Sequence, residues 1–363
     1  ISTKPGKNAM NAISTINPFT IFTRYLATGC LVLLMSCTGN DRPADEMRTQ
    51  MQEQTETGSA EVVEVIAMHN MDLNRHTYQM GTKEVPSGWT TFRFRNATTS
   101  DHFFMIYRAP DEAIAAAEEA GLPLVDHWFR GITTPFQLEF NPFAAGVVDY
   151  DTFVTELVGS ITEKAPWFFD PGAVNTGGPG FTSAGRTSET TVFLEPGEYI
   201  AECYVKDEDE QFHSYLGMLQ HFTVTVDSSG AREPEATLDL TISSENGITS
   251  EGEVTAGSHV VRISFEDQVT YAHLLGHNVQ LVKLTDSDDE ELLGELAGWM
   301  DWTQPGSLVH TAPAGAEFLG GTMQMTGGST AYVNVDILPG DYAWIAEIPD
   351  PAGHGMLKTF TVE

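Results

Sequence analysis

Four stretches of this chain occur twice in the same order, which constrains its fold more than any other feature. Val85–Phe94 matches Val254–Ile263, and His102 with the six residues after it matches His277 with the six after it. Leu194–Tyr199 matches Ile337–Tyr342 through a shared Pro-Gly-acid-Tyr, and Gly217–Val224 matches Gly355–Val362 through Gly-Met-Leu-x-x-Phe-Thr-Val. Ordered recurrence of this kind implies a tandem duplication, and the length leaves ample chain for two hydrophobic cores.

Within each copy the apolar residues come in short runs bounded by Gly, Pro, Asn and Asp. In the first copy they are Val62–Met68, Thr90–Phe94, Phe103–Tyr107, Thr190–Leu194, Tyr199–Val205 and His221–Val226. Runs of this length and punctuation read as strands of an antiparallel sandwich. The copies divide near Asp227–Pro234, where Asp-Ser-Ser-Gly and Glu-Pro supply turn chemistry, so domains are expected at 61–227 and 234–363. An extra segment at about 109–180 interrupts the first copy. It should form short helices at Pro110–Gly121, with acids at its start and glycine beyond its end, and at Asp151–Lys164, with Phe153, Leu157, Val158 and Ile161 at helical spacing. Trp167-Phe168-Phe169 reads as packing.

The cysteines divide the chain further. Residues 1–36 hold Lys4, Lys7 and Arg24, lack Asp and Glu, and finish in an apolar run before Cys37. That pattern is a secretory leader, too short for a comfortable transmembrane helix. Leu34-Met35-Ser36-Cys37 resembles the lipobox of bacterial lipoproteins, which implies an acylated Cys37, anchorage in a lipid membrane and a place in the cell envelope. Residues 37–60, rich in Gln, Glu, Thr and Asp, are expected to be a flexible acidic tether. Cys30 goes with the leader, so Cys203 is left as the one thiol of the body and no disulfide within a mature chain is possible. A spare thiol in an oxidising compartment calls for a use. The net charge of −33 repels polyanions and excludes nucleic acid as a partner.

Cys203 ends a strand, His213 follows in a loop, Met218 lies five residues on, and a last strand begins; upstream, Asn96 and His102 precede another strand. This order resembles the ligand loop of the cupredoxins, the plastocyanin and azurin type. The resemblance implies an all-β fold of two tandem Greek-key cupredoxin-like β-sandwiches, the first with short helical insertions. It also implies copper held by His102, Cys203, His213 and Met218, one-electron transfer and a redox partner protein. The acidic stretch Asp207–Glu210 must then loop out between Cys203 and His213. In the second copy Ala346 stands at the cysteine position, and His277, His354 and Met356 remain as candidate Cu(I) ligands.

Other chemistry finds little support. The chain has no Gly-x-Ser-x-Gly, P-loop, His-Glu-x-x-His or His-x-His, and His273-x-x-x-His277 reads as loop into strand. The acidic run Asp286–Glu291 reads as a solvated helix start rather than a Ca²⁺ loop. These absences favour a binding or electron-transfer protein over an enzyme. The alternative is a metal-free β-sandwich lipoprotein serving as a binding or scaffold module.

Overall fold

A computed structural model describes residues 60–304 and 306–363. The expected leader, the acyl site Cys37 and the tether up to residue 59 lie outside the described residues. The fold is mostly β and sandwich-like, as expected.

In the first copy β1 (Glu61–Asn70) alternates Val63, Val65 and Ala67 inward and turns back into β2 (Arg75–Met80). The long β3 (Glu84–Asn96) serves both layers. Its Gly88–Arg95 half pairs with β6 (Thr187–Leu194), while Glu84–Ser87 crosses to β8 (Leu219–Ser228), with a register break after Pro86 at the corner. The second layer continues through β7 (Gly197–Glu202), β4 (Met105–Arg108) and β5 (Val174–Asn175). Phe92, Phe94, Phe104 and Phe222 fill the space between the layers with ring centroids 5.7–6.4 Å apart.

The pairings recur in the second half. There β9 (Leu238–Ser243), β10 (Gly247–Glu251), β11 (Gly257–Phe265) and β14 (Thr330–Ile337) form one layer. The other contains β12 (Val279–Leu284), β13 (Ala316–Thr322), β15 (Gly340–Ile345) and β16 (Leu357–Val362). The repeated Pro-Gly-acid-Tyr has the same mechanics in both halves. Gly197 and Gly340 take positive φ, and each tyrosine hydroxyl donates to the carbonyl four residues back, Tyr199 to Glu195 and Tyr342 to Leu338, both at 2.7 Å.

The two copies share a sheet. β6 pairs antiparallel with β14, so one sheet runs through both halves. The end of the inserted segment also threads between them: Thr182 bridges His102 on one side and Leu319 on the other, and Pro179 bridges Thr322. At Gly180 there is no room for a side chain, since a Cβ would lie 2.0 Å from Gln280 Oε1, which accepts from the Phe181 amide.

The insertion holds more helix than expected. α1 (Asp111–Ala120) ends on Gly121 in the left-handed region, and α4 (Tyr150–Lys164) starts at Asp149, whose carboxylate accepts from the Thr152 amide. Between them lie α2 (Leu124–Trp128), a π-turn at Phe129–Thr133 and α3 (Thr134–Ala144), in one unbroken helical run. Pro123 stands at the start of that run, where a missing N–H costs nothing, and Pro135 follows the π-turn within it. The acidic run does begin a helix, α5 (Glu290–Met300), with Asp289 as its cap.

Candidate metal centre

Each of the four expected ligands in the first copy is fixed by backbone hydrogen bonds before its side chain is considered. Asn96 ends β3 and its amide Nδ2 donates to the carbonyls of Ser100, at 2.7 Å, and Thr182, at 2.8 Å. That closes the turn leading to His102, whose own amide and carbonyl both bond Thr182. Cys203 follows β7 directly. Its amide donates to the Met218 carbonyl, the Met218 amide donates to the His213 carbonyl, and the His213 amide donates to the Val205 carbonyl. The intervening acidic stretch loops out as expected. Lys206 bridges Phe212, and between them Asp207 accepts from the amides of Asp209 and Gln211 while Glu210 takes positive φ.

These constraints set the His102 ring against both His213 and Cys203. His102 Nδ1 is 3.1 Å from His213 Nδ1 and 3.6 Å from Cys203 Sγ. All three residues, and Met218 with them, are fully buried. Burial holds His102 and His213 well below the ordinary histidine range, with neighbouring histidines adding to the effect, so both imidazoles are neutral and keep a lone pair. Burial also pushes the Cys203 thiol up to about 12, against the opposing pull of the Phe103 and Val205 backbone and the Tyr78 hydroxyl. One ring nitrogen therefore faces both a second imidazole nitrogen and a thiol in a dry pocket. Two donors each about 2.0–2.3 Å from a shared ion stand roughly 3–4 Å apart, the range seen here. The donor set of two nitrogens and one sulfur fits copper, and the Met218 backbone is bonded to both Cys203 and His213.

A third histidine reaches this cluster without being expected from the sequence. Ring nitrogens of His76, His102 and His213 lie within 4.8 Å of one another. His76, on β2, stacks flat on His213 with centroids 3.8 Å apart and planes 13° apart. Its lone pairs run parallel to those of His213 instead of converging with them, so it caps the ligand. His69 stacks on His76 in turn, at 3.9 Å and 15°. The two face each other across the β1–β2 hairpin, which is why their rings overlap. Two histidines on either side of the Asn70–Asn74 turn were the available signal, and β2 itself went unread.

The second copy keeps the backbone frame with other contents. The Ala346 amide donates to the Met356 carbonyl, as Cys203 does to Met218. His277 Nδ1 meets the Tyr271 hydroxyl at 3.2 Å, and that hydroxyl reaches Met356 Sδ at 3.8 Å. His354 is exposed and packs its ring against Tyr271. A phenol oxygen thus stands between these candidate ligands. His273, on a loop as expected, bonds the Glu347 carbonyl.

No family model matches the chain, and no curated protein does. Solved structures similar to it include the dithionite-reduced auracyanin of Roseiflexus castenholzii, 17% identical over 34% of this chain and 94% of that one, with a TM-score of 0.25. Auracyanin A of Chloroflexus aurantiacus, a "blue" copper protein, is 16% identical over 45% of this chain and 98% of its own, with a TM-score of 0.22. The copper nitrite reductase of Nitrosomonas europaea is 11% identical over 84% of this chain and 94% of its own, also at 0.22. Likenesses this distant leave the chemistry to be argued from the site itself.

Proposed function

We propose that the first copy holds copper at a type 1-like centre, with His102 and His213 bound through Nδ1, Cys203 as thiolate and Met218 as the weak axial ligand. The observation that carries this reading is the approach of His213 Nδ1 and Cys203 Sγ to one ring nitrogen, His102 Nδ1, at 3.1 and 3.6 Å in a fully buried pocket. Bound copper would supply one-electron chemistry, because thiolate and thioether suit Cu(I) while imidazole serves Cu(II). Burial of all four side chains would keep water out and limit rearrangement between the two states. The chain's role is then electron transfer or copper handling in the cell envelope, with Cys37 as the lipid anchor and a protein as redox partner.

His213 has no exposed edge, so electrons need another way out. The stack His213–His76–His69 ends at a half-exposed ring on the β1–β2 hairpin, and this run of parallel imidazoles is the exit we assign.

Loading the full chain with Cu(II) tests the proposal. A thiolate-bound copper gives an intense charge-transfer band in the visible, and Cys203→Ser must abolish it. A native chain that binds Cu(II) without the band, or does not bind it, refutes the proposal and leaves the metal-free module.

A further inference from the structure

Cys203 lies between two residues that face away from the metal cluster. Glu202 and Tyr204 both line a cavity of about 420 Å³, closed by the inserted helices on one side and by the second copy's Thr270–Leu275 loop on the other. Its walls are apolar and strongly aromatic, with Phe136, Phe168, Phe169 and Trp302 among them. Two of these belong to the stretch read from sequence as packing.

One end is polar, and there the hydrogen bonding is incomplete. Asn175 and Gln324 satisfy each other at 3.1 Å, and Tyr204 donates to Glu347 at 2.9 Å. Glu202 is 9% exposed, and among the described residues no side chain closes a hydrogen bond to its carboxyl. Burial pushes Glu202 up to about 7; Tyr107 and Trp128 stand close enough to oppose that, yet the Tyr107 hydroxyl donates to Met105 Sδ and the Trp128 indole nitrogen has no partner. A buried carboxyl left this way costs stability unless something else donates to it.

We infer that this cavity binds a neutral hydroxylated aromatic molecule, its ring among the aromatic walls and its hydroxyl on Glu202. The size falls within the usual range for small-molecule pockets, as does the pattern of apolar walls with a few convergent polar groups. No Lys or Arg lines the cavity to neutralise a carboxylate or phosphate, so a neutral ligand fits it. A hydroxyl suits the polar end better than an ammonium, because it can donate to Glu202 and also accept from a nearby N–H. The site goes beyond the copper reading and stands whether or not copper is bound. With copper present, a ligand here would sit one residue from the metal-binding thiolate.

Calorimetry on the metal-free full chain with 2-naphthol and naphthalene tests the inference. Expected is saturable binding of 2-naphthol, with naphthalene weaker by about tenfold, the worth of about one hydrogen bond. Glu202→Leu should erase that preference, and Leu275→Trp, which fills the cavity, should abolish binding of both. If Glu202→Leu fails to fold, Leu275→Trp still decides. No binding, equal affinities for the two probes in the native chain, or binding unaffected by Leu275→Trp would overturn the inference. None of these results depends on whether copper binds.

Discussion

At the residue scale the site depends on burial removing charge. His102 and His213 are held neutral and Cys203 is held as a thiol, so a cation arriving there displaces a proton from sulfur and removes a three-way competition for His102 Nδ1. Glu347 shows the same burial acting on stability. Desolvation pushes it up to about 8, so the folded chain keeps a proton that the unfolded chain releases near the ordinary carboxylate pKa. Its contribution is full in acid and is lost as pH rises toward about 8. Glu347→Gln keeps an acceptor for Tyr204 and Asn278 and carries no titration. Denaturant midpoints measured across pH should therefore fall less steeply for Glu347→Gln, with the variant at least as stable as the parent by about pH 9. A steeper fall in the variant would contradict this account of Glu347. The closeness of His102 to Cys203 and His213 was legible because their order along the chain carries the pattern. Glu202 and Glu347 were not, since one carboxylate among 51 acidic residues shows nothing until burial singles it out.

Among the elements, β2 of the β1–β2 hairpin is a strand that sequence patterning missed, while β1 was read. The run Arg75–Met80 mixes cationic, polar and apolar residues with only His76 and Tyr78 facing inward, so it lacks the apolar alternation of its neighbours. Its place is set by long-range contacts instead. The His76 amide donates to the Leu216 carbonyl, and the Asn74 side chain donates to Asp207 at 3.0 Å, which fastens the hairpin to the ligand loop. His69→Ala removes the outer ring of the stack without touching a ligand. The charge-transfer band of the copper-loaded chain should stay unchanged, while reduction by a small cationic one-electron reagent slows several-fold. An unchanged rate would remove the stack from the electron path. The helices divided similarly. α1 and α4 carried capping and spacing signals, whereas α2 and α3, which hold or abut Pro123, Pro135 and Pro142, were not read.

At the scale of the whole molecule, strand pairings recur in the two halves and the halves are joined. The shared sheet through β6 and β14, the bidentate pair of Arg186 with Glu317 at 2.7 Å, and the strap from Gly177 to Thr182 all join them. The repeat was visible in sequence because glycine and tyrosine corners are local, while the fusion depends on contacts between distant segments and left no local trace. Gly180→Ala is the direct probe of that fusion. A methyl there displaces Gln280 from the buried Phe181 amide, so we expect a loss of about 3 kcal/mol, in a single unfolding transition for both halves. Two separate transitions, with only one of them shifted, would show independent copies. One half carries a thiol and the other Ala346 and an interposed Tyr271 hydroxyl. The central claim is therefore one copper per chain, bound through sulfur. X-ray absorption on the copper-loaded full chain, with the metal quantified per chain, tests it most directly. The account expects one equivalent of copper with one short sulfur and two nitrogen neighbours. A nitrogen-only shell, such as His76, His102 and His213 would give, or two equivalents shared between the copies, would contradict it.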